Sequence, residues 1–507
     1  GSLILIALSC LLLALAQILS PYLLGRVLDS MLPGMNINFK LLMWLLISYL
    51  LTFFFTLVQG TQVAKVSNLM VTKLRDQAFS HLTRLPMAFF DQTAQGDVIN
   101  RLTTDIEAIQ LGLQQFFTQI ISGTVLLVGS MLAMLRMQWT IGLVVLGLTP
   151  FTFLVTSLIA KKSHHYFLEQ SEATAALQAH AEEMVQGQKL VRAFGGEHLS
   201  QEIYDEKNAK LYDVGQKAQF TSSLTNPGTR FVNNVTYVLV GVIASFLAAL
   251  GKLSIGGISA FLNYALQYAK PVNEISIVMT QVQEALASAS RVFSLLEIEA
   301  EPDESQKPEL RVKEGRFVWD DVSFSYVPGQ KLIEDFSIEI KPRQTVAIVG
   351  PTGAGKTTLV NLLMRFYELD KGAIYLDDQN LASYTRESVR GAYGMVLQDT
   401  WLFAGSIYDN IAYGKEGASK EEVIEAAKKA YAHSFILQLP QGYDTKLKDA
   451  GALLSAGQKQ LLTIARVMLS DPEILIWDEA TSNIDTRTEC LVQNSFLQLM
   501  EGRTAFI

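Results

Sequence analysis

The sequence predicts a polytopic α-helical membrane domain followed by an α/β domain. Two observations lead to this order. Almost all long apolar runs lie within residues 1–300, whereas residues 301–507 have the composition of an ordinary soluble domain. In the second region, one alternating stretch and two short apolar runs are typical of strands, and a periodic apolar stretch is typical of a helix. A chain of 507 residues is long enough for two or more domains.

The bulk composition argues against a nucleic-acid partner and against a disulfide framework. The net charge is −8, so the basic patch of a nucleic-acid-binding protein is not expected. Cys10 and Cys490 are the two cysteines, and the first lies in an apolar run. We therefore expect no disulfide framework, burial of both cysteine side chains, and a reducing compartment for the soluble part.

Six stretches are apolar enough to cross a bilayer, whose core requires about 20 residues of helix. The first apolar run continues to about Leu32 with no basic residues before it, so it is too long for a signal peptide. The six predicted spans are 2–31, 39–60, 116–136, 139–160, 230–250 and 256–280.

The distribution of Lys and Arg predicts the orientation of these spans. Most of the basic residues lie in two long stretches, 61–115 and 161–229, and few lie in the short turns between spans. The positive-inside rule places both long stretches in the cytoplasm. Their polar residues recur at helical spacing, so the spans are expected to continue as helices beyond the membrane.

Two breaks interrupt the cytoplasmic helices, one from Leu85 to Gly96 and one from Phe194 to Glu197. Each break would allow a short helix at the tip of a hairpin. Because the two tips occur at equivalent places, we interpret them as contact points that transmit motion to the α/β domain. The alternative is a plain helical turn.

Lys270 and Glu274 lie four residues apart in the sixth span, on either side of Pro271. Ionisable residues inside a membrane are costly, so such a pair is a functional hypothesis. The favoured interpretation is a mutual ion pair inside the helical bundle. A substrate-contact or gating role is the alternative.

A phosphate-binding loop lies between a predicted buried strand, 345–349, and a predicted helix, 355–366. Its pattern is Gly, four residues, then Gly-Lys-Thr. Glycines allow backbone N–H groups to face phosphate oxygens, and the helix N-terminus adds positive potential. Lys356 can reach the β and γ phosphates, and the Thr357 hydroxyl can bind Mg²⁺. The predicted ATP-binding residues are Gly350, Pro351, Thr352, Gly353, Ala354, Gly355, Lys356, Thr357 and Thr358.

A second predicted buried strand, 474–477, ends in Asp478 and Glu479. A carboxylate at this place can hold Mg²⁺, and the next one can orient or deprotonate an attacking water. Two acidic residues that merely end a strand are the alternative.

The segment Leu454-Ser455-Ala456-Gly457-Gln458 resembles the signature motif of ABC ATPases, usually Leu-Ser-Gly-Gly-Gln. The order of phosphate loop, Gln398, signature and Asp478-Glu479 is similar to that family throughout residues 316–507. The six-span part resembles the membrane domain of ABC exporters, with Phe90, Asp91, Gly96 and Arg101 at matching places. The resemblance covers nearly the whole chain.

The resemblance implies a role for each matching residue. Tyr326 would stack on adenine, and Glu479 would be the general base, with Lys356 and Gln398 as further catalytic residues. Ser455, Gly457 and Gln458 would contact a nucleotide bound by another subunit. The implied Mg²⁺ ligands are Thr357, Gln398 and Asp478.

The resemblance also implies a dimer that binds two ATP molecules between its ATPase domains. Nucleotide binding would close these domains, the two cytoplasmic tips would carry the motion, and the membrane part would open outward. Hydrolysis would reset the cycle.

The signature departs from the family pattern. Its third residue is Ala456 in place of Gly, and Leu453 stands where Asn is common. Such changes resemble subunits of heterodimeric exporters, in which one of two ATP sites is degenerate. Because Glu479 is intact, this chain would supply the Walker motifs of the competent site, and its altered signature would face the degenerate one. A homodimer with a tolerated substitution is the alternative.

The predicted domain bounds are 1–300 for the membrane domain, 301–315 for a linker and 316–507 for the ABC ATPase domain. The family's switch histidine is not found among these residues, so we expect the end of the ATPase domain to lie beyond Ile507. We likewise expect the natural N-terminus to precede Gly1.

The resulting functional prediction is a half-transporter of the bacterial multidrug type, a multi-pass ATPase of the plasma membrane with its ATPase domain in the cytoplasm. It would export hydrophobic or amphiphilic substrates such as drugs or lipids, together with a second half-transporter subunit. A dedicated peptide or toxin exporter is one alternative. A nucleotide-sensing regulator is another, which an intact Glu479 disfavours.

Overall fold

The computed structural model describes residues 2–31, 38–327, 329–330, 332–351, 353–397, 400–447, 454–477 and 486–507. Side chains are described for the same residues except 2–3, 273, 275–277 and 486–487. The chain forms two compact units. Unit 1 comprises Gly1–Thr83 and Gly96–Ile298, and unit 2 comprises Arg84–Gln95 and Glu299–Ile507.

Unit 1 is helical. Its helices are α1 (Ser2–Met31), α2 (Phe39–Leu82), α4 (Gln95–Asn100), α5 (Ile106–Gln115), α6 (Ser122–Met137), α7 (Trp139–Gln186), α8 (Gln188–Ala193), α9 (Glu197–Ser223), α10 (Thr225–Ala249) and α11 (Ile255–Leu296), while α3 (Met87–Gln92) belongs to unit 2. One π-helical turn, Arg101–Asp105, lies between α4 and α5, and another, Phe116–Ile121, lies between α5 and α6.

Within the described residues, five helical stretches are long and apolar enough to cross a membrane. Several are far longer than the roughly 20 residues that a bilayer requires, which agrees with helices that continue into the cytoplasm. The sixth predicted span, 256–280, lies within α11 and stays a prediction. The five stretches are Ile4–Met31, Phe39–Leu82, Gln95–Met137, Trp139–Gln186 and Glu197–Ala249.

The short helices predicted at the two breaks are present as α3 and α8. α3 begins after Pro86, whose extended backbone ends the preceding turn. Between α8 and α9, Gly195 has φ of +63°, a conformation that glycine adopts without a steric penalty.

The C-terminal end of α1 and the N-terminal end of α11, which face the outside in the predicted orientation, meet backbone to backbone. A methyl group added to Gly256 would overlap the carbonyl group of Gly25, so the helices approach more closely there than a side chain would permit. Asp29 accepts hydrogen bonds from the Gly256 N–H at 2.8 Å and from the Ser254 hydroxyl at 2.7 Å. A carboxylate at the start of α11 also complements the helix dipole.

The predicted ion pair between Lys270 and Glu274 is wrong. Both side chains lie in the described part of the chain, and no ion pair within 4.0 Å joins them. Lys270 is exposed, whereas Glu274 is only partly so, so the two side chains occupy different surroundings.

The strands of unit 2 are β1 (Phe317–Phe324), β2 (Ile333–Ile340), β3 (Thr345–Val346), β4 (Lys371–Leu376), β5 (Gln379–Asn380), β6 (Tyr393–Val396), β7 (Gly405–Ser406), β8 (Lys446–Leu447), β9 (Ile474–Trp477) and β10 (Thr504–Phe506). In the described residues they form two four-stranded sheets and one two-stranded sheet, β7-β8. The first four-stranded sheet is antiparallel, with strand order β2-β1-β4-β5, and the second is parallel, with order β3-β10-β9-β6. The helices that follow α11 are α12 (Lys356–Leu363), α13 (Arg386–Gly391), α14 (Ile407–Ala412), α15 (Lys420–Lys429), α16 (His433–Ile436), α17 (Ala456–Ser470) and α18 (Thr486–Met500).

The expectation of a buried strand at 345–349 is wrong, whereas that at 474–477 is confirmed. Ile474, Leu475 and Ile476 are at most 1% exposed, because β9 is flanked by β10 and β6. β3 lies at the edge of its sheet and pairs with β10, and Val349 beyond it is 90% exposed. An apolar run does not reveal whether its strand will be central or at an edge.

The segment that follows α11 is fastened to unit 2 by buried charges. Glu304, whose side chain is 8% exposed, pairs with Arg365 and Arg386, which are 6% and 12% exposed. Further along, the Asp377 carboxylate accepts hydrogen bonds from four consecutive backbone N–H groups, those of residues 313–316. The segment is therefore an integral part of unit 2.

Candidate nucleotide-binding site

The phosphate-binding loop has the backbone that its glycines predict. Gly353 and Gly355 both have φ of +85°, which disfavours any residue with a Cβ atom. The Ala354 N–H donates to the Pro351 carbonyl at 3.1 Å, closing a tight turn. Glycine is therefore required at 353 for conformation rather than space, since nothing lies within 4 Å of an added Cβ atom there.

The Lys356 amine lies across this loop. Its Nζ atom donates hydrogen bonds to the Gly350 carbonyl at 2.7 Å and to the Pro351 carbonyl at 3.2 Å. A lysine amine has three donors and no acceptor, so it can exchange these bonds for phosphate oxygens. The loop thus holds a positive charge beside the turn of N–H groups.

The first turn of α12 provides further donors. Gly355 caps this helix without a side-chain hydrogen bond, so the leading N–H groups of α12 have no side-chain partner from the cap. Such a helix start attracts anions. Thr357 is exposed there, whereas Thr358 is buried, so Thr357 presents the hydroxyl that is accessible to a ligand.

Tyr326 lies beside α12. Asn361, in α12, donates its side-chain N–H to the Tyr326 hydroxyl at 3.2 Å. Phe324 and Tyr367 pack edge-on against the Tyr326 ring, with centroids at 4.9 and 5.0 Å. The ring is 40% exposed, which leaves surface on which an adenine could stack.

Tyr367 links this aromatic cluster to the first cytoplasmic tip. Its hydroxyl donates a hydrogen bond to the Asp91 carboxylate, and both residues belong to unit 2. Burial raises the pKa of the Tyr367 phenol above its ordinary value, and the bond to Asp91 raises it further. The phenol therefore stays protonated and keeps donating at neutral pH.

The signature segment forms the start of α17. Ser455 caps the helix: its hydroxyl accepts from the Gln458 N–H at 3.2 Å, and the Gln458 side chain accepts from the Ser455 N–H at 3.0 Å. Ser455 and Ala456 are exposed, whereas Gly457 is buried. Among the described residues the Ser455 hydroxyl acts only as an acceptor, so its proton can be donated to a ligand.

The signature and the phosphate loop belong to different hydrophobic clusters of unit 2. Leu454 and Leu461 pack in a cluster built from α14–α18, whereas Val360 and Leu363 of α12 pack against β1 and β4. Four predicted site residues lie outside the described residues: Thr352, Gln398, Asp478 and Glu479.

Three contributors to the site were not predicted from the sequence. Asn361 holds the Tyr326 hydroxyl, Tyr367 supports its ring, and Asp91 holds Tyr367. Of these three, only Asn361 could have been suspected from the sequence, because it lies five residues after Lys356 on the same helix. The contact of Asp91 joins residues 276 apart and has no signature in the sequence.

Residues 3–272 match the family described as ABC transporter transmembrane region, and residues 333–482 match the family described as ABC transporter. The chain is an ABC transporter. It is 39% identical over 484 residues to a fatty acid ABC transporter ATP-binding/permease protein of Mycobacterium bovis, covering 94% of this chain and 76% of that relative. It is 32% identical over 448 residues to an ATP-dependent lipid A-core flippase of Photorhabdus laumondii, covering 88% of this chain and 77% of the relative.

A solved structure of a bacterial Atm1-family ABC exporter with ATP bound matches this ABC transporter with a TM-score of 0.76 and 27% identity. The match covers 99% of this chain and 89% of that chain. The predicted fold class, a helical membrane domain followed by an ABC ATPase domain, is therefore confirmed, as is the exporter family. The protein is a membrane ABC exporter that binds ATP and couples its hydrolysis to transport, and exporters of this family act as dimers.

Proposed function

We propose that this subunit uses ATP to export hydrophobic or amphiphilic molecules, lipids or drugs among them, by alternating access. The observation that carries the proposal is the junction of two parts in one chain: a preformed phosphate loop at α12 and a unit with membrane-length apolar helices. The relatives named for fatty acid and lipid A-core transport support a lipid-like cargo. The proposed domain bounds remain 1–300, 301–315 and 316–507.

In the proposed catalytic site, Lys356 binds the terminal phosphates and the first turn of α12 holds them in place. Tyr326 stacks on the adenine. Gln398 positions the attacking water, and Glu479 accepts its proton. In this proposal, this chain itself supplies the groups that bind the nucleotide and activate the attacking water.

Mg²⁺ is proposed to bind at this site together with the nucleotide. Thr357 offers an exposed hydroxyl oxygen at the start of α12, and Asp478 and Gln398 are the other proposed ligands. Within the described residues, no group of three or more His, Cys, Asp or Glu side chains is arranged to hold a metal alone. Mg²⁺ is commonly held by one or two carboxylates with phosphates and water, and it neutralises charge on the phosphates.

The proposed partner is a second, different half-transporter subunit. The Ser455 hydroxyl, at the exposed start of α17, would donate to the γ-phosphate of a nucleotide held by that partner, and Gly457 and Gln458 shape the same turn. The methyl group of Ala456 is exposed on this turn. It therefore lies where a nucleotide would approach, which supports an altered second site.

ATP-driven uptake of a panel of amphiphilic dyes into inverted membrane vesicles, with and without a co-expressed partner subunit, tests the function. We expect uptake from the parent protein and none from Glu479→Gln. Equal uptake in the two proteins, or no uptake of any member of the panel, would contradict the proposal.

The partner is tested by purifying the chain alone and together with a co-expressed candidate subunit. We expect low ATPase activity alone and an increase on pairing. Full activity of the chain alone, abolished by Glu479→Gln, would show a homodimer.

A further inference from the structure

A small cavity lies between α7, α10 and α11, within unit 1. Its wall combines aliphatic residues with amide and hydroxyl groups. The polar side chains that matter most are Thr149, Thr152, Asn234, Tyr237 and Tyr268. Polar side chains inside membrane helices are costly to maintain, so those that line this largely apolar cavity call for a function.

The cavity offers hydrogen-bond donors that the rest of the described structure does not use. Thr149 and Tyr268 bond to each other through their hydroxyls at 3.0 Å. Within the described part of the chain, the Asn234 amide and the Tyr237 hydroxyl have no hydrogen-bond partner. Both residues are exposed, so they lie at the mouth of the cavity.

The size of the cavity fits a headgroup rather than a chain. Its volume is about 40 Å³. A cavity that holds one water molecule needs roughly 10–15 Å³, so this cavity has room for a small group of atoms. A carboxylate group, or the oxygens of a phosphate, has this size.

Two cations lie on the cytoplasmic side of the mouth. Arg230 is four residues before Asn234 in α10, and Lys270 is four residues after Leu266 in α11, so each lies one helical turn from a mouth residue on the same face. α10 and α11 are joined by a short turn and run in opposite directions. Both displacements therefore point toward the same end of the bundle.

The depth of these cations is set by helix geometry. At 1.5 Å per residue, Lys270 lies roughly 22 Å from the outer start of α11, and Arg230 roughly 28 Å from the outer end of α10. Both positions fall in the cytoplasmic half of a hydrocarbon core about 30 Å thick.

Neither cation is neutralised by a carboxylate of the described residues. Arg230 and Lys270 are exposed, and neither forms an ion pair with any carboxylate of the described residues. An exposed cation at this depth needs water, a lipid phosphate or an anionic ligand. Two such cations beside unused neutral donors form a set that complements an oxyanion.

We propose that this cavity, with Arg230 and Lys270 at its cytoplasmic edge, binds the anionic headgroup of the transported amphiphile while the acyl chain stays outside it. The inference rests on the proposed export of amphiphiles and specifies their charge. The site would take a carboxylate or phosphate headgroup from the inner leaflet.

The test uses the full chain, with any subunit needed for activity, in vesicles of neutral phosphatidylcholine. ATPase stimulation is titrated with oleate, with oleyl alcohol, which has the same chain without the charge, and with acetate, which has the charge without the chain. The variants are Lys270→Gln, Arg230→Gln and the charge-retaining Lys270→Arg. Lys252→Gln, in the short outer turn, is the matched control.

We expect oleate to stimulate the parent, and each Gln variant to raise the half-saturating oleate concentration about tenfold or more, the loss expected for one charge-assisted hydrogen bond. The response to oleyl alcohol should not change. Lys270→Arg and Lys252→Gln should behave as the parent does, which would show that the charge rather than the fold of α11 is responsible.

Four results would overturn the inference. If neither oleate nor oleyl alcohol stimulates the parent, the proposed amphiphile export fails and the headgroup site fails with it. Suppose that oleate and oleyl alcohol both stimulate the parent, and that the Gln variants change the two responses equally or change neither of them. The proposed export then stands, and the cations serve only as anchors at the lipid surface. Stimulation by acetate equal to that by oleate would mean a site for free anions. Lys270→Arg behaving as Lys270→Gln would mean that charge is not what matters.

Discussion

Replacing Glu304 by Gln tests the buried charges that fasten the segment after α11 to unit 2. Burial is the largest influence on this carboxyl and raises its pKa. The hydrogen bonds from Lys307, from the Arg386 backbone N–H and from Arg365 together outweigh burial, and they lower the pKa from the ordinary 4.5 to about 2. A difference of roughly 2.5 pKa units corresponds to about 3 kcal/mol of stability at neutral pH.

The sign of this contribution follows from the direction of the shift. A depressed carboxyl pKa stabilises the folded state fully above the unfolded value of 4.5. The stabilisation is lost as the pH falls toward about 2. Gln keeps the shape of the side chain but removes the charge. The buried guanidinium groups of Arg365 and Arg386 then keep only Glu368 as a counter-charge, and that side chain is 52% exposed.

Hydrogen–deuterium exchange of the full chain at pH 7 measures the effect. In Glu304→Gln, we expect the Arg386 amide, which donates to Glu304, to exchange about 100-fold faster, the factor that roughly 3 kcal/mol implies. The Leu310 amide, bonded to the Ser388 hydroxyl, should follow it. Glu309→Gln, an exposed carboxylate of the same segment, should leave both amides unchanged. Unchanged exchange in Glu304→Gln would refute the reasoning.

Four further predictions concern the site and the membrane unit. Lys356→Ala should weaken ATP binding about 10- to 100-fold, as expected for lost charged hydrogen bonds, and a fluorescent ATP analogue measures this; an unchanged affinity would mean that the amine stays on the loop carbonyls. Tyr367→Phe should lower the amount of substrate transported per ATP hydrolysed, because the hydrogen bond to Asp91 is lost. Tyr408→Phe, which loses a hydrogen bond to the Ala418 carbonyl, should not lower it. An equal ratio in the two variants would mean that the bond to Asp91 has no role in coupling. Ala456→Gly should raise the ATPase rate of the assembled transporter, and a rate no higher than the parent's would count against an altered signature. Gly256→Ala should destabilise the protein by about 1–3 kcal/mol through overpacking and so lower its melting temperature in detergent. Gly60→Ala should not lower it, because no atom lies within 4 Å of the added Cβ atom.

The features that could be predicted from the sequence are those that local chemistry dictates. The glycines of the phosphate loop have the positive φ angles that their spacing implies, and Ser455 caps α17 because a hydroxyl three residues before Gln458 completes a capping box. The two helix breaks likewise follow from Pro86 and Gly195. In each case the cause lies within a few residues of its effect.

The features that could not be predicted depend on tertiary neighbours. The edge position of β3 is decided by which strand pairs beside it, and the exposure of Lys270 by the face that α11 turns outward. Spacing alone suggested a Lys270–Glu274 pair, because helical residues four apart are neighbours. The link from Asp91 to Tyr367 joins distant parts of the chain, so it required the fold itself.

The glycine contact between α1 and α11 constrains how a cargo could leave. Where two backbones touch with no side chain between them, the helices cannot slide past each other, and they can separate only by breaking the bonds of Asp29 as well. The outer ends of these helices should therefore travel as one rigid pair throughout a transport cycle. An exit toward the outside then has to open between other pairs of helices. A cysteine cross-link between α1 and α11 near Gly25 and Gly256 should therefore leave transport intact.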